Sequence, residues 1–235
     1  IILLANHFAE KQHEVIIITF DFLEAESFYH MHKKIKWHRI GDTPAHEKIS
    51  FASRLKLIQK FRNHVKCSSK PIIICFHHGI LARVFLSTLF IKKTIICSER
   101  NSLSIYNHIQ QTKWNFNYFL LNFVSKITVQ FNEYIKDYPF WMVRKIRVIP
   151  NPVLKERIQA KPHIKNKNDR FVLLTVGRLC TQKQQNVLID SFILSSKNNQ
   201  RWDLHIIGDG VGMDELQSKI DISGLKNRIF LNGKK

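Results

Sequence analysis

Short apolar runs rich in β-branched residues recur along this chain, each separated from the next by an amphipathic stretch. Residues 15–20 (V-I-I-I-T-F), 72–76, 94–97, 127–130 and 146–149 are such runs, and 171–176, 204–207 and 229–231 repeat the pattern towards the carboxyl end. A run that is apolar at every position suits a strand buried on both faces, as in a parallel sheet covered by its crossover helices. The stretches between them have helical spacing. Phe51, Leu55, Ile58, Phe61 and Val65 are expected on one helical face, residues 1–9 end a helix, and 80–90, 185–195 and 212–220 form others. A long helix carrying Trp114, Phe116, Phe119, Leu120 and Phe123 is expected before 127–130, with its aromatic stripe in the core. Residues 154–169 are polar, basic and without apolar periodicity, the mark of a linker. The chain therefore reads as α/β throughout, with a first domain at 1–153, a linker at 154–169 and a second domain at 170–235.

A length of 235 residues suffices for two modest cores, and 44% hydrophobic against 23% charged residues excludes a disordered chain. The 37 Lys and Arg outnumber 18 Asp and Glu, giving +19. Such a field draws in nucleic acid, anionic lipid or phosphorylated small molecules without choosing among them. Cys67, Cys75, Cys97 and Cys180 form no C-x-x-C pair, so reduced thiols are expected and a zinc site is not. No run reaches the roughly 18 apolar residues of a membrane-spanning helix; the best, 80–91, is interrupted by Arg83. The expected location is the cytoplasm, with peripheral docking of the basic first domain at the inner, anionic face of a membrane. The chain opens inside a helical pattern without an initiator Met and closes three strands into its second sheet. It is read as truncated at both ends, with the first strand of the first domain missing and the second domain incomplete.

Residues 176–183 (V-G-R-L-C-T-Q-K) lie between an expected strand and an expected helix. Ligands of open α/β sheets sit there, outside the carboxyl ends of the strands, where helix N-termini offer N–H groups to phosphate. Gly177 lets the backbone come close to a ligand, Arg178 offers a bidentate grip and Lys183 a point charge. Together they are able to neutralise a diphosphate, both on binding and as a leaving group gains charge. The same two cations also read as ordinary solvated loop charges.

With L-I-D-S-F at 188–192, this segment resembles the donor-domain signature of family 4 glycosyltransferases, retaining enzymes of the GT-B fold with two Rossmann-like domains. H-E-V at 13–15, S-E-R-N at 98–101, V-I-P-N-P-V at 148–153 and L-H-I-I-G-D-G at 204–210 are similar to further family segments, in the family's order. The resemblance covers nearly the whole chain. It implies transfer of a sugar from a nucleoside-diphosphate sugar to a hydroxyl of a glycan or lipid-linked acceptor, without metal or other cofactor. Bacterial surface polysaccharide, lipopolysaccharide or lipid-linked glycan synthesis is the implied setting. Gly177, Arg178 and Lys183 would hold the donor diphosphate, with Gly208, Asp209 and Gly210 near the nucleotide. Asp209 also reads as a turn former.

At the carboxyl ends of two expected strands, His78 (beside His77), Glu99 and Arg100 would line an acceptor wall, a histidine there orienting the acceptor or acting on its hydroxyl proton. The chain departs from the family at Gln184, where many members have Gly, and in lacking any two Glu at E-x7-E spacing. Two alternatives therefore stand beside the transferase: a truncated, inactive remnant, and a basic nucleic-acid-binding protein. The second lacks any recognised nucleic-acid motif.

Overall fold

The computed structural model describes every residue except 22, 23, 25, 28, 42–49, 69, 105–115, 154–160 and 235. Contacts divide the chain into the units Ile1–Val153 and Leu154–Lys235. Both are α/β with parallel sheets.

The first unit runs α1 (Ile2–Glu10), β1 (Ile16–Thr19), β2 (Lys36–Arg39), α2 (Phe51–Val65), β3 (Ile72–Phe76), α3 (Leu81–Ser87), β4 (Thr94–Ser98), α4 (Phe116–Phe119), β5 (Lys126–Val129) and β6 (Ile146–Val148). β3, β4, β5 and β6 form a parallel sheet in that order, while β1 and β2 pair separately, also in parallel. The Ile-rich strands arise where β-branched residues cluster. α2 starts at Ser50, whose hydroxyl accepts the Ser53 N–H at 3.1 Å, a side-chain N-cap. Leu57, Phe61 and Val65 of α2, Leu81 and Val84 of α3, and Ile127 of β5 belong to one core. Cys75 and Cys97 face each other in register on β3 and β4, and burial raises both thiol pKa values, that of Cys75 to about 12. Neither is a nucleophile at neutral pH.

Three expectations are corrected here. On α2, Phe51 and Leu55 are 76% and 51% exposed, and the buried stripe is Leu57, Phe61 and Val65. Each step of four residues advances about 40° around a helix, which carries Phe51 and Leu55 off the flank of that stripe. The long aromatic helix is only α4, continued by a 3₁₀ turn over Leu120–Phe123. Its Phe116, Phe119 and Phe123 are exposed, and the core receives Leu120 and Leu121 instead; Trp114 lies outside the described residues. Finally, β2 (K-W-H-R) was not expected, because it has no β-branched residue and owes its strand conformation to pairing with β1.

The second unit runs β7 (Phe171–Val176), α5 (Gln185–Ser196), β8 (Trp202–Ile207), α6 (Met213–Ile222) and β9 (Ile229–Leu231), with parallel sheet order β7-β8-β9. Leu179, Ile189, Leu204, Ile206 and Ile220 form its core. The described part of 154–169 is tied to this unit. Asn166 Nδ2 donates to Asp203 Oδ2 at 2.6 Å, and Arg170 pairs with Oδ1 of the same buried carboxylate at 3.2 Å. Among the described residues, no helix is long and apolar enough to cross a membrane.

Candidate functional site

At the carboxyl end of the second unit's sheet, the loops after β7 and β8 are laced together. The Gly177 N–H donates to Ile207 O at 3.0 Å, Leu179 N–H to Asp209 O at 2.9 Å and Gly212 N–H to Leu179 O at 3.1 Å. The strand ladder thus continues into the loops. A Cβ on Gly208 would lie 1.9 Å from the Gly177 carbonyl oxygen, and one on Gly210 would lie 2.4 Å from that of Leu179. The G-D-G spacing is therefore demanded by the packing of loop on loop. Gly177 differs: a Cβ there would meet only Lys183 Cδ, at 4.0 Å. The protein's own packing does not require glycine at that point.

Leu179, fully buried, anchors the signature segment in the core. Gln185, also buried, donates its side-chain N–H to Arg178 O at 2.8 Å and pins the backbone that carries the guanidinium. Gln185 was not singled out in the sequence; a polar residue at the first position of an apolar helix was the available signal. A 3₁₀ turn over Thr181–Lys183 leads to Gln184, which sits at φ 54, ψ 32 in the left-handed region. That conformation favours glycine, so the departure at 184 carries backbone strain, offset in part by the Gln184 Nε2 bond to Thr181 O at 2.9 Å. Arg178 and Lys183, both exposed, follow Gly177 in the loop, and neither makes an ion pair among the described residues. Asp209 is exposed and accepts the Gly210 N–H at 2.7 Å, which makes it a turn former.

In the first unit, the register that sets Phe76 beside Ser98 brings the residues following β3 and β4 together. The His78 main-chain N–H and ring Nδ1 both bond Glu99 Oε1, at 2.6 and 2.8 Å. A carboxylate only accepts, so Nδ1 of His78 is the donor in this bond. His77, at φ 96, accepts the Gly79 N–H on Nδ1 at 2.8 Å and stacks on His78 with ring centroids 4.5 Å apart.

The expected acceptor wall is corrected at Glu99 and His78. Glu99 and His78 are 1% and 5% exposed, so this pair is buried and does not form an open surface. Burial alone would raise its pKa, but the hydrogen bond and charge of His78, with the charge of His77, hold it below the ordinary carboxylate value. Burial, and secondarily the charge of His78, lowers the pKa of His77 against the opposing charge of Glu99. Arg100 is exposed and donates to Asn151 Oδ1 at 3.2 Å. His77, His78 and Glu99 offer three ligand atoms within 4.8 Å of one another, a geometry able to hold a cation. Glu99 Oε1 and His77 Nδ1 are, however, already engaged by N–H groups of the chain.

Residues 156–235 match the family described as "Glycosyl transferases group 1", and Gly177, Arg178, Lys183 and the 208–210 loop all fall within the match. An uncharacterized glycosyltransferase of Methanocaldococcus jannaschii is 24% identical over 200 residues, covering 76% of this chain and 47% of that protein. Among solved structures, the apo form of the lipopolysaccharide outer core galactosyltransferase WaaB aligns with a TM-score of 0.59 at 22% identity, over 86% of this chain and 54% of that one. HepE of Anabaena, in complex with UDP and glucose, aligns with a TM-score of 0.62 at 17% identity, over 86% and 57%. The α/β fold with parallel sheets is the one these GT-B glycosyltransferases have. The chain spans about half the length of the relatives it matches.

Proposed function

We propose that this chain is part of a retaining, family 4 glycosyltransferase that moves a sugar from a nucleoside-diphosphate sugar to a hydroxyl acceptor. The observation that carries this reading is that exposed Arg178 and Lys183 follow Gly177 in the loop leading to α5, on a segment whose backbone is pinned by Leu179 and Gln185. Two cations in the loop after a strand favour a diphosphate and stabilise it further as the sugar–phosphate bond breaks and charge builds on the leaving group. With that charge met by side chains, the reading assigns no metal or other cofactor. Gly177 leaves room for the ligand where the protein needs none, and Gly208, Asp209 and Gly210 shape the nucleotide side. In the first unit, His78 Nε2 orients the acceptor hydroxyl, Glu99 holds His78, and Arg100 contacts the acceptor. The acceptor is a glycan or lipid-linked saccharide of bacterial surface polysaccharide synthesis, a reading supported by the lipopolysaccharide galactosyltransferase among its structural neighbours. It places the protein in the cytoplasm, peripheral to the membrane.

Calorimetric titration with UDP tests this. Arg178→Ala and Lys183→Ala should each weaken binding by about 1–3 kcal/mol, the range for hydrogen bonds to charged groups. Unchanged affinity in both variants would remove the proposal.

A further inference from the structure

The two oxygens of Glu99 are served unequally. Oε1 accepts from the main chain and the ring of His78 and lies 3.5 Å from the Cys97 thiol. Oε2 is buried and has no hydrogen-bond partner among the described residues. An ionised oxygen without a donor is costly in a protein interior, more so than a neutral group. The hydroxyl of Tyr138 is in the matching condition, buried and without a partner among the described residues. One group lacks a donor and the other lacks an acceptor.

The fold brings the two into one region. Tyr138 follows a 3₁₀ turn over Asn132–Asp137, past β5, and is 6% exposed. Its neighbour Asp137 accepts the Ser102 hydroxyl and, at 3.3 Å, the Ser104 N–H, which ties this turn to the segment leaving β4 past Glu99. Glu99 is itself fastened to β5, its N–H donating to Thr128 O at 2.8 Å. Tyr138 and Cys97 share one core cluster, and Cys97 Sγ touches the carboxylate. Burial, and next the charge of Glu99, raises the pKa of the Tyr138 phenol. The phenol therefore keeps its proton and stays a donor. The titratable groups around the carboxylate are His77 and His78 after β3, Cys97 on β4 and Tyr138 after β5, with Tyr118 of α4 and Asp137 near the phenol.

The two atoms do not bond each other. A water molecule meets both needs, because it accepts from a hydroxyl and donates to a carboxylate. We propose that Tyr138 is a positioning residue of the His78–Glu99 pair: its hydroxyl donates to one buried water, which donates in turn to Glu99 Oε2 and holds the carboxylate with Oε1 turned to His78. Both oxygens are then fixed, one by the residues after β3 and the other by the residue after β5, and the ring of His78 has a partner that does not rotate. The inference deepens the acceptor-site reading and rests on it for what His78 orients; the contacts themselves involve no sugar donor.

Tyr138→Phe removes the hydroxyl and leaves the ring, and the sign of its effect is decisive. A hydroxyl buried without a partner destabilises the fold, so its removal would raise the urea midpoint. A hydroxyl bridged to a carboxylate stabilises the fold, so the midpoint at neutral pH should fall. The Glu99 carboxyl, followed by ¹³C NMR in the 235-residue chain, should begin to protonate about one pH unit higher in the variant. A raised or unchanged urea midpoint would overturn the proposal. So would a lowered midpoint with the Glu99 titration unmoved, since the hydroxyl would then bond elsewhere. Either failure leaves the UDP titration of Arg178→Ala as it was, and a failure of that titration leaves the link between Glu99 and Tyr138 standing.

Discussion

The main chain and the ring of His78 converge on a single oxygen of Glu99, at 2.6 and 2.8 Å, and so tie the carboxyl ends of β3 and β4 together. Both side chains are buried, and the carboxylate is kept ionised by the donors around it despite the cost of its burial. Replacing Glu99 by Gln keeps an acceptor for the main chain but removes the charge. The expected loss is about 1–2 kcal/mol, read as a lower urea midpoint, with Glu99→Ala losing about 3 kcal/mol or more because buried donors are left unpaired. Unchanged midpoints in both variants would contradict the pairing.

Stability should fall with acid in two stages. The folded state holds Glu99 below its ordinary 4.5, so it binds fewer protons there than the unfolded chain. The stabilisation is complete above about that value and is lost as pH falls through the lower, folded one. His77 is likewise held below 6.5, and its contribution is lost as pH drops beneath 6.5. Urea midpoints measured from neutral to acid pH should decline. His77→Gln should flatten the upper part of the decline and Glu99→Gln the lower. A midpoint that rises on acidification would refute both assignments.

Gln184 occupies a left-handed conformation at the entrance to α5. Gln184→Gly should raise the stability of the second unit by about 0.5–1 kcal/mol, the left-handed penalty less the lost bond to Thr181 and the added chain entropy of glycine. Thermal unfolding checks this; a lower midpoint would show that the Thr181 bond outweighs the strain.

Gly208 and Gly177 should respond to alanine in opposite ways. Gly208→Ala forces a carbon to within 1.9 Å of the Gly177 oxygen, and a shift of the loop backbone costing about 1–3 kcal/mol is expected. Gly177→Ala meets nothing nearer than Lys183 Cδ at 4.0 Å and should leave stability nearly unchanged. Loss of UDP affinity in Gly177→Ala, at unaltered stability, would locate the ligand against that backbone. Retained affinity would place it elsewhere.

Much of the architecture was legible because periodicity is a local property. Phe51–Val65, Ile72–Phe76, Phe171–Val176 and Ile229–Leu231 have in the structure the limits that their apolar patterns mark. β2 was not, because its side chains lack a strand signature and its pairing with β1 is non-local. The aromatic spacing from 114 to 123 looked like a core stripe, yet Leu120 and Leu121 fill the core and leave Phe119 and Phe123 outside. Spacing alone does not say which of two adjacent apolar positions faces inward. At the site, the cations at 178 and 183 were readable as residue types beside a glycine. The roles of Gln185 and Glu99 were not, since each acts through a hydrogen bond that exists only once the loop or the sheet is folded.

The lacing of the loops after β7 and β8 has a thermodynamic corollary. Because Gly177, Leu179, Gly208 and Gly212 are already held by backbone bonds and close contact, the segment has little freedom left to surrender to a ligand. Association there should carry a small entropic penalty from the protein, so that differences among ligands reflect their own flexibility and hydration. The two loops also form one mechanical piece: a displacement at Asp209 is transmitted to Leu179 through the 2.9 Å bond between them.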